Sequence, residues 1–518
     1  MEYNKILKEY YGYDGLKPSQ SDIIKAIVED KKDVLAVLAT GYGKSICYQL
    51  PHLITNKSVL IISPLISLME DQKNNLESRN IRVSVLNSVA IALKNSKQDA
   101  IDEIFNGESK IIFTTPEFLV KNNEIMATMA ESSMLCLICI DESHCISTFG
   151  NDFRESYSKL GIIRENIKNI PILALTATAT EKVRQDIVNI LNLDNPKIII
   201  GDFSRDNLYI QIKNRSGCDS EIYNIVKKYE NDKIIIYCKT IKDTELIQKI
   251  LLESNVKCAV YHASIKLDER NSIQKEFTDG TCKCIIATIA FGMGIDIPDV
   301  RCVLHIGCSK NIEGYYQEIG RAGRDGKPSQ CIMLYQTKDF VMNRIFLKNM
   351  TNQAEINYQT AQIRKLEEFI HIKTCRQKHI LEHFGAVNTK NCNNCDNCNR
   401  KPDSNDNAAI VISGNEKKIL MCINSLKETY NARYGATMII KILKGSKSEK
   451  IHDYITDSEY YGCLKTLTID KIKQMINVMK EKELLVNAYI KDTCMSVIEC
   501  SKKGISSLSN KHQAINMT

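Results

Sequence analysis

The chain holds 518 residues, 43% of them hydrophobic and 25% charged, with a formal net charge of +7; this is a globular composition too long for one ordinary core, so three or four domains are expected. No apolar run approaches the ~20 residues that cross a bilayer, and the opening MEYNKILKEYYGYDG has neither an apolar stretch nor a small-residue cleavage site, so no membrane partner is expected and an intracellular location is. Twenty cysteines sit mostly singly in apolar runs such as LCLICI (135–140) and read as small buried hydrophobes in a reducing compartment.

In chain order, short apolar runs alternate with helical patterns from about residue 33 to 340: DVLAVLA, SVLIISP, KIIFTTP, LCLICIDE and PILALTAT, then KIIIYCKT, KCAVYHA, CIIATIA and RCVLHIG. Strands that are apolar throughout and separated by helices predict parallel sheets covered on both faces. Two sheets are expected, divided near Gly201 to Arg205, where the first series ends at KIIIGDFSR. Beyond Tyr335 the pattern turns helical and polar, and KPDSNDN (401–407) reads as a linker. Helical patterns around 416–430, 436–444 and 468–482, followed by ELLVNAY (483–489) and MSVIEC (495–500), predict a winged helix-turn-helix.

The segment LATGYGKSICYQLP (38–51) follows a strand and opens a helix. Backbone N–H groups at a helix start face anions, glycines permit close approach and a lysine adds charge, which makes Thr40, Gly41, Gly43, Lys44 and Ser45 a phosphate-binding loop of the T-G-x-G-K-S kind. LCLICIDESH ends a buried strand in two carboxylates: Asp141 is expected, with Ser45, to hold Mg²⁺, and Glu142 to activate water. Together these parts predict a nucleoside-triphosphate-hydrolysing site. In YYQEIGRAGRDG (315–326), Gln317, Arg321 and Arg324 are spaced by four and three residues, which predicts one helical face. The arginines are candidates to stabilise charge developing on the γ-phosphate.

Cys375 is followed sixteen residues later by C-x-x-C-x-x-C at Cys392, Cys395 and Cys398, a spacing suited to a closed, structural Zn²⁺ site. His371, His379 and His383 stand nearby as competing ligands. From Lys401 onward 18 Lys and Arg face 13 Asp and Glu, a basic module consistent with nucleic-acid binding or with a solvated charged surface.

The series YGYDGLKPSQ, ATGYGKS, SPLISLMEDQ, TTPE, DESH, CISTFGNDFR, LTATAT, IYC, YHA, ATIAFGMGIDIPDVR and QEIGRAGRDG resembles superfamily 2 DNA helicases of the RecQ type through nearly the whole chain. The resemblance implies two RecA-like parallel-sheet lobes (1–203, ATP-binding, and 204–340), a helical zinc-binding subdomain (341–400), a linker (401–411), a winged-helix DNA-binding domain (412–508) and a tail (509–518). It implies an ATP-dependent helicase that moves on single-stranded DNA, 3′ to 5′, and opens duplexes or junctions in recombination, repair or replication. It selects Cys375 as the fourth zinc ligand. Tyr13 is expected to stack on adenine while Lys17 and Gln20 contact the nucleotide. His144, Phe149, Phe153 and Arg154 are expected to couple DNA contact to hydrolysis, because aromatic faces stack on bases without reading them; the competing reading of Phe149 and Phe153 is ordinary core packing. Lys447 and Lys450, in a segment resembling the family's winged helix, are expected to meet phosphate. The chain departs from the family at Lys17 (usually Arg), Ala39 and Tyr42 (Pro and Gly), Ser143 (Ala), Phe149 (Trp) and Asn151 (His). An RNA-directed helicase and a non-catalytic DNA-binding protein are the alternatives.

Overall fold

The computed structural model describes the chain except residues 1, 88–100, 103, 107–109, 151, 216–218, 293–296, 348–349, 387–389, 401–411, 447–450, 483, 490–495 and 510–518. The expected linker, Asn151, Lys447, Lys450 and nearly all of the tail therefore lie outside the described residues. The chain divides into two compact units, 1–400 and 401–518.

The first unit holds two parallel sheets. Strands β1 (Val34–Val37), β2 (Ser58–Ile62), β3 (Val83–Leu86), β4 (Ile111–Thr114), β5 (Leu135–Ile140), β6 (Ile172–Thr176) and β7 (Lys197–Ile200) pair in the order β3-β4-β2-β5-β6-β1-β7. A second sheet orders β8 (Leu208–Asn214), β9 (Lys233–Cys238), β10 (Ala259–Tyr261), β11 (Cys284–Ala287), β12 (Val300–Ile306) and β13 (Ser329–Tyr335) as β10-β11-β9-β12-β13-β8. The uninterrupted apolar runs have a direct cause. Leu35 and Val37 point into one core while Val34, Ala36 and Leu38 point into another, so both faces of β1 are dry and no polar alternation is possible. In β9, Ile235 and Tyr237 face one core and Ile234, Ile236 and Cys238 the other.

Strands β3, β8 and β13 escape a search for apolar runs. β8 lies at a sheet edge and alternates buried with half-exposed residues, and β3 is a four-residue edge strand. β13 carries the polar Ser329 and Gln330 in an otherwise buried run.

One buried ion pair holds three strands of the first sheet at their amino ends. Asp33, 5% exposed, takes both Nη2 contacts of Arg164 at 2.7 and 2.6 Å. It also accepts the backbone N–H of Ile172 at the start of β6 (2.8 Å) and of Asp194 (2.7 Å). Its backbone carbonyl accepts from Lys197 as β7 begins. With every oxygen satisfied the pair tolerates burial, whereas removing one partner strands a charge.

In the second unit, helices Gly414–Glu428, Ala436–Lys444 and Ile469–Glu481 precede an antiparallel hairpin, β14 (Leu485–Tyr489) and β15 (Ser496–Cys500). Ile419, Ile423, Ile439, Ile442, Ile472 and Ile476 share its core with Leu485 and Ile498. This is the winged-helix arrangement the sequence predicts. Lys444 is engaged internally, donating to the carbonyls of Lys465 and Leu467 at 2.7 Å each.

Asp33→Ala is expected to cost about 3–5 kcal/mol of stability, because Arg164 is left without its counter-charge. A denaturant titration of the first unit measures this; a loss below about 1 kcal/mol contradicts the strut.

Candidate functional site

Three adjacent strands, β5, β6 and β1, end at one edge of the first sheet. Their carboxyl ends release Asp141 and Glu142, the Thr176 turn, and the glycine loop. In that loop Gly41 (φ +79°) and Gly43 (φ +90°) take left-handed backbone before the helix Lys44–Thr55 begins. A β-carbon on Gly43 would also meet Gln20 Nε2 at 2.8 Å. Gln20 Nε2 donates to the carbonyls of Tyr42 (3.2 Å) and Gly43 (3.0 Å), and Lys17 Nζ donates to the Tyr42 carbonyl at 3.0 Å. The Lys17 ammonium also lies 4.7 Å from the centre of the Tyr42 ring. Two departures from the family thus meet in one contact, a lysine seated on an aromatic face. Tyr13 is 58% exposed nearby in sequence.

Asp141, 8% exposed, accepts the Glu142 N–H at 3.0 Å. Burial and the adjacent Glu142 charge push its pKa up to about 7, against the pull of Lys44. Burial also opposes ionisation of Glu142, but Lys44, His144, Arg321 and Arg324 outweigh it and hold its pKa below the usual range. A buried carboxylate pair with one member resisting ionisation is relieved by a cation. The donor set therefore fits Mg²⁺. Glu142 is left-handed (φ 48°) and its Oε2 lies 3.3 Å from His144 Nδ1. That nitrogen is 2.9 Å from Thr176 Oγ1, so the fully buried His144 joins the acidic turn to the end of β6.

The second sheet brings its arginines to the same place. The expectation that Gln317, Arg321 and Arg324 share one helical face is corrected here: the helix ends at Ile319 and Gly320 caps it. Arg321 and Arg324 stand in the following turns, where Gly323 takes φ +54°. Only Gln317 is helical. A helical course would carry the arginines along one line, whereas the turn folds them back toward Glu142, whose ionisation both favour. Arg321 is 6% exposed. Gly320 abuts the glycine loop itself, since a β-carbon there would lie 3.0 Å from Thr40 Cβ. Arg205, in the connector between β7 and β8, contacts both partners. The sequence offered no signal for it beyond a basic residue between two sheets.

In the loop after DESH, Phe149 is half-buried, edge-on to Tyr358 at 4.8 Å, with the Lys182 ammonium 5.4 Å from its ring centre. Phe153 is 41% exposed. Arg154 Nη1 donates to the Pro64 carbonyl at 2.7 Å, which ties this loop to the segment after β2.

All four cysteines of the expected zinc site come together. The sulfurs of Cys375, Cys392, Cys395 and Cys398 all lie within 4.8 Å of one another, and backbone N–H groups of Lys378, Cys392, Asn394 and Cys398 point at three of them. Such a set fits a closed Zn²⁺ site. The competing histidines are occupied elsewhere: His371 packs on Tyr335, His379 stacks on Phe369, and His383 Nε2 is 2.8 Å from Glu313. Asp396, inside the cluster, holds Arg376 with both oxygens (2.9 and 3.2 Å). It also accepts the Ile212 N–H and donates its own N–H to Ile210, each at 2.9 Å. The cysteine loop is thereby hooked onto edge strand β8.

Family models match in sequence along the chain: DEAD/DEAH box helicase at 17–187, helicase conserved C-terminal domain at 218–326, RecQ zinc-binding at 337–399 and RQC domain at 412–517. A protein of Acanthamoeba polyphaga mimivirus, provisionally named an ATP-dependent RNA helicase, is 37% identical over 97% of this chain and 91% of its own length. The ATP-dependent DNA helicase RecQ of Bacillus subtilis is 32% identical, with 92% and 78% covered. The mouse bifunctional 3′-5′ exonuclease/ATP-dependent helicase WRN is 34% identical over 96% of this chain, which spans only 36% of that longer protein. Among solved structures, the helicase MrfA bound to DNA and AMPPNP shares the fold, with a TM-score of 0.53 at 19% identity over 74% of this chain and 58% of its own. Four domain matches in one order, a four-cysteine cluster, and the mimivirus and Bacillus relatives aligned over most of their own length carry one conclusion: the chain belongs to the RecQ family of ATP-dependent helicases.

Proposed function

We propose that the chain converts ATP hydrolysis into 3′-to-5′ movement on single-stranded DNA and opens duplexes or branched junctions during recombination, repair or replication. The observation that carries this reading is the meeting of the glycine loop, the acidic turn and the arginine turn at one edge. Sites fed by two sheets respond to nucleotide by changing the relation between the sheets. The DNA-directed relatives and the RQC match support DNA over RNA as the track; the name of the mimivirus relative points the other way.

In this reading Lys44, Ser45 and the N–H groups from Thr40 to Gly43 cradle the phosphates, and Ser45 and Asp141 hold Mg²⁺. Bound there, Mg²⁺ neutralises charge on the phosphate oxygens. Glu142, ionised and oriented by His144, takes a proton from the attacking water. Gln317, Arg321 and Arg324 respond to the γ-phosphate, and Tyr13 closes over the base beside Lys17 and Gln20. Phe153 offers an exposed ring to a DNA base, while Phe149, seated between Tyr358 and Lys182, transmits its displacement; Arg154 anchors the loop. Lys447 and Lys450 contact phosphates from the winged helix. The lobes divide at residues 203–204, with the zinc-binding subdomain at 341–400 and the winged helix at 412–508. The protein works inside the cell, at DNA.

Lys44→Ala is expected to reduce ATP turnover at least ~100-fold with little change in DNA affinity, and Glu142→Gln to abolish turnover while retaining ATP. Nucleotide binding and phosphate release measured on the same preparations check this. Comparing stimulation by single-stranded DNA and by RNA of equal length decides the track: greater stimulation by RNA overturns the DNA reading.

Phe149→Ala is expected to remove DNA stimulation while the DNA-free rate persists, and Phe153→Ala to weaken base contact by about 1–3 kcal/mol. Normal stimulation in Phe149→Ala assigns that ring to packing.

Cys392→Ser is expected to drop bound zinc below one per chain and to lower the melting temperature by at least about 5 °C, because the loop it releases is hooked to β8. Elemental analysis with unchanged zinc contradicts the four-cysteine site.

A further inference from the structure

Arg205 makes a set of contacts that the proposed chemistry does not use. It lies in the single stretch of chain that crosses from the first sheet, ending at Ile200, to the second, beginning at Leu208. Its Nη1 donates to the carbonyl of Thr40 in the glycine loop at 3.0 Å and to that of Gly320 at 3.4 Å. Its Nη2 donates to the carbonyls of Ala322 (2.8 Å) and Gly323 (2.9 Å). One guanidinium therefore spans four backbone oxygens, one from the phosphate-binding loop and three from the turn that carries Arg321 and Arg324.

Those three oxygens lie beyond the end of the helix Ile312–Ile319, whose last turn closes on itself as Gly320, Arg321 and Ala322 donate to the carbonyls of Tyr316, Glu318 and Ile319. Gly323, left-handed at φ +54°, shares its carbonyl between Arg205 and the Gly326 N–H. Asn207, two residues after Arg205, donates from Nδ2 to the Gly323 and Lys327 carbonyls at 2.8 and 3.0 Å. The connector thus shapes the turn's backbone. The loop on the other side is threaded closely: a β-carbon at Gly41 would lie 3.5 Å from Arg205 Nη1 and 3.7 Å from Arg324 Cγ. No other side chain type offers a planar fork of donors with a permanent charge at this reach.

We propose that Arg205 is a positioning residue that couples the phosphate-binding loop to the arginine turn, so that Arg321 and Arg324 approach the γ-phosphate only when the loop's Thr40 carbonyl is in place to share the guanidinium. Arg205 touches neither nucleotide nor metal in this assignment. It sets the distance between two backbones that must both be correct in the transition state, and a misplacement of the order of 1 Å at such a site costs about 100-fold in rate. The inference rests on the reading of the loop as the ATP site.

The test compares Arg205→Ala and Arg205→Lys with the unaltered full chain in four measurements: kcat for ATP with single-stranded DNA, Kd for a fluorescent ATP analogue, Kd for single-stranded DNA, and melting temperature. Both variants are expected to lose about 10- to 100-fold in kcat, with both Kd values within about threefold and the melting temperature within about 3 °C for Arg205→Lys. Amide hydrogen exchange over residues 320–326 should accelerate in both. Normal kcat in either variant overturns the proposal, as does a loss of kcat matched by equal losses of nucleotide affinity and stability in Arg205→Lys, which marks a purely structural residue. Should Arg205→Ala fail to fold, Arg205→Lys alone decides. Lys44→Ala, run in parallel, separates the two readings: wild-type turnover there removes the ATP site itself, whereas an inactive Lys44→Ala beside a fully active Arg205→Lys removes only the coupling.

Discussion

Burial of both sheets on both faces is the constraint from which the rest of the molecule follows. A strand such as β1, with Leu35 and Val37 in one core and Val34 and Ala36 in another, cannot carry a charge anywhere along its length. Charged and polar residues are displaced to the strand ends, and the amino and carboxyl ends then take different work. At the amino ends Asp33 and Arg164 neutralise one another and accept the backbone groups of the neighbouring strands. The carboxyl ends leave Lys44, Asp141 and Glu142 facing a shared space, with their charges only partly balanced.

That imbalance sets the two carboxylates apart. Asp141 is held near the edge of ionisation while Glu142, one residue on, is kept charged by four cationic or histidine neighbours, two of them from the second sheet. Two adjacent carboxylates thus acquire different properties from environment alone. In the proposed function this difference separates a metal-holding group from a proton acceptor without any change of residue class.

Polar contacts add direction to an apolar core that takes residues from both sheets and the cysteine loop, where Phe203 packs on Tyr316 and Phe384. Arg205 meets backbone carbonyls, Asp396 hooks the cysteine loop onto β8 through two backbone groups and Arg376, and Arg154 reaches the Pro64 carbonyl. Hydrogen bonds with one charged partner contribute about 1.5–3 kcal/mol each, and their direction sets the geometry at which these segments meet. Lys17 and Tyr42 show the same economy at the glycine loop, where a lysine takes a carbonyl and an aromatic face together.

The sequence by itself determined the two parallel sheets, the glycine loop and its carboxylate partners, the four-cysteine set and the helix-helix-helix-hairpin order of the last unit. Each of these is local: a continuous apolar run, a glycine at a turn, a cysteine spacing or a helical period is written within about twenty residues. Edge strand β8 carries no continuous apolar run because about half its residues face away from a core, and the turn bearing Arg321 and Arg324 reads as helix in sequence because spacing alone does not register a left-handed glycine at 323. Tertiary structure alone decided that Phe149 is half-buried against Tyr358 while Phe153 is open, that three histidines beside the cysteines are engaged elsewhere, and that Arg205 bridges a loop and a turn more than a hundred residues away from each other. Those outcomes depend on which surfaces meet after the sheets have formed, and contacts between residues so far apart in sequence leave no periodic trace in it.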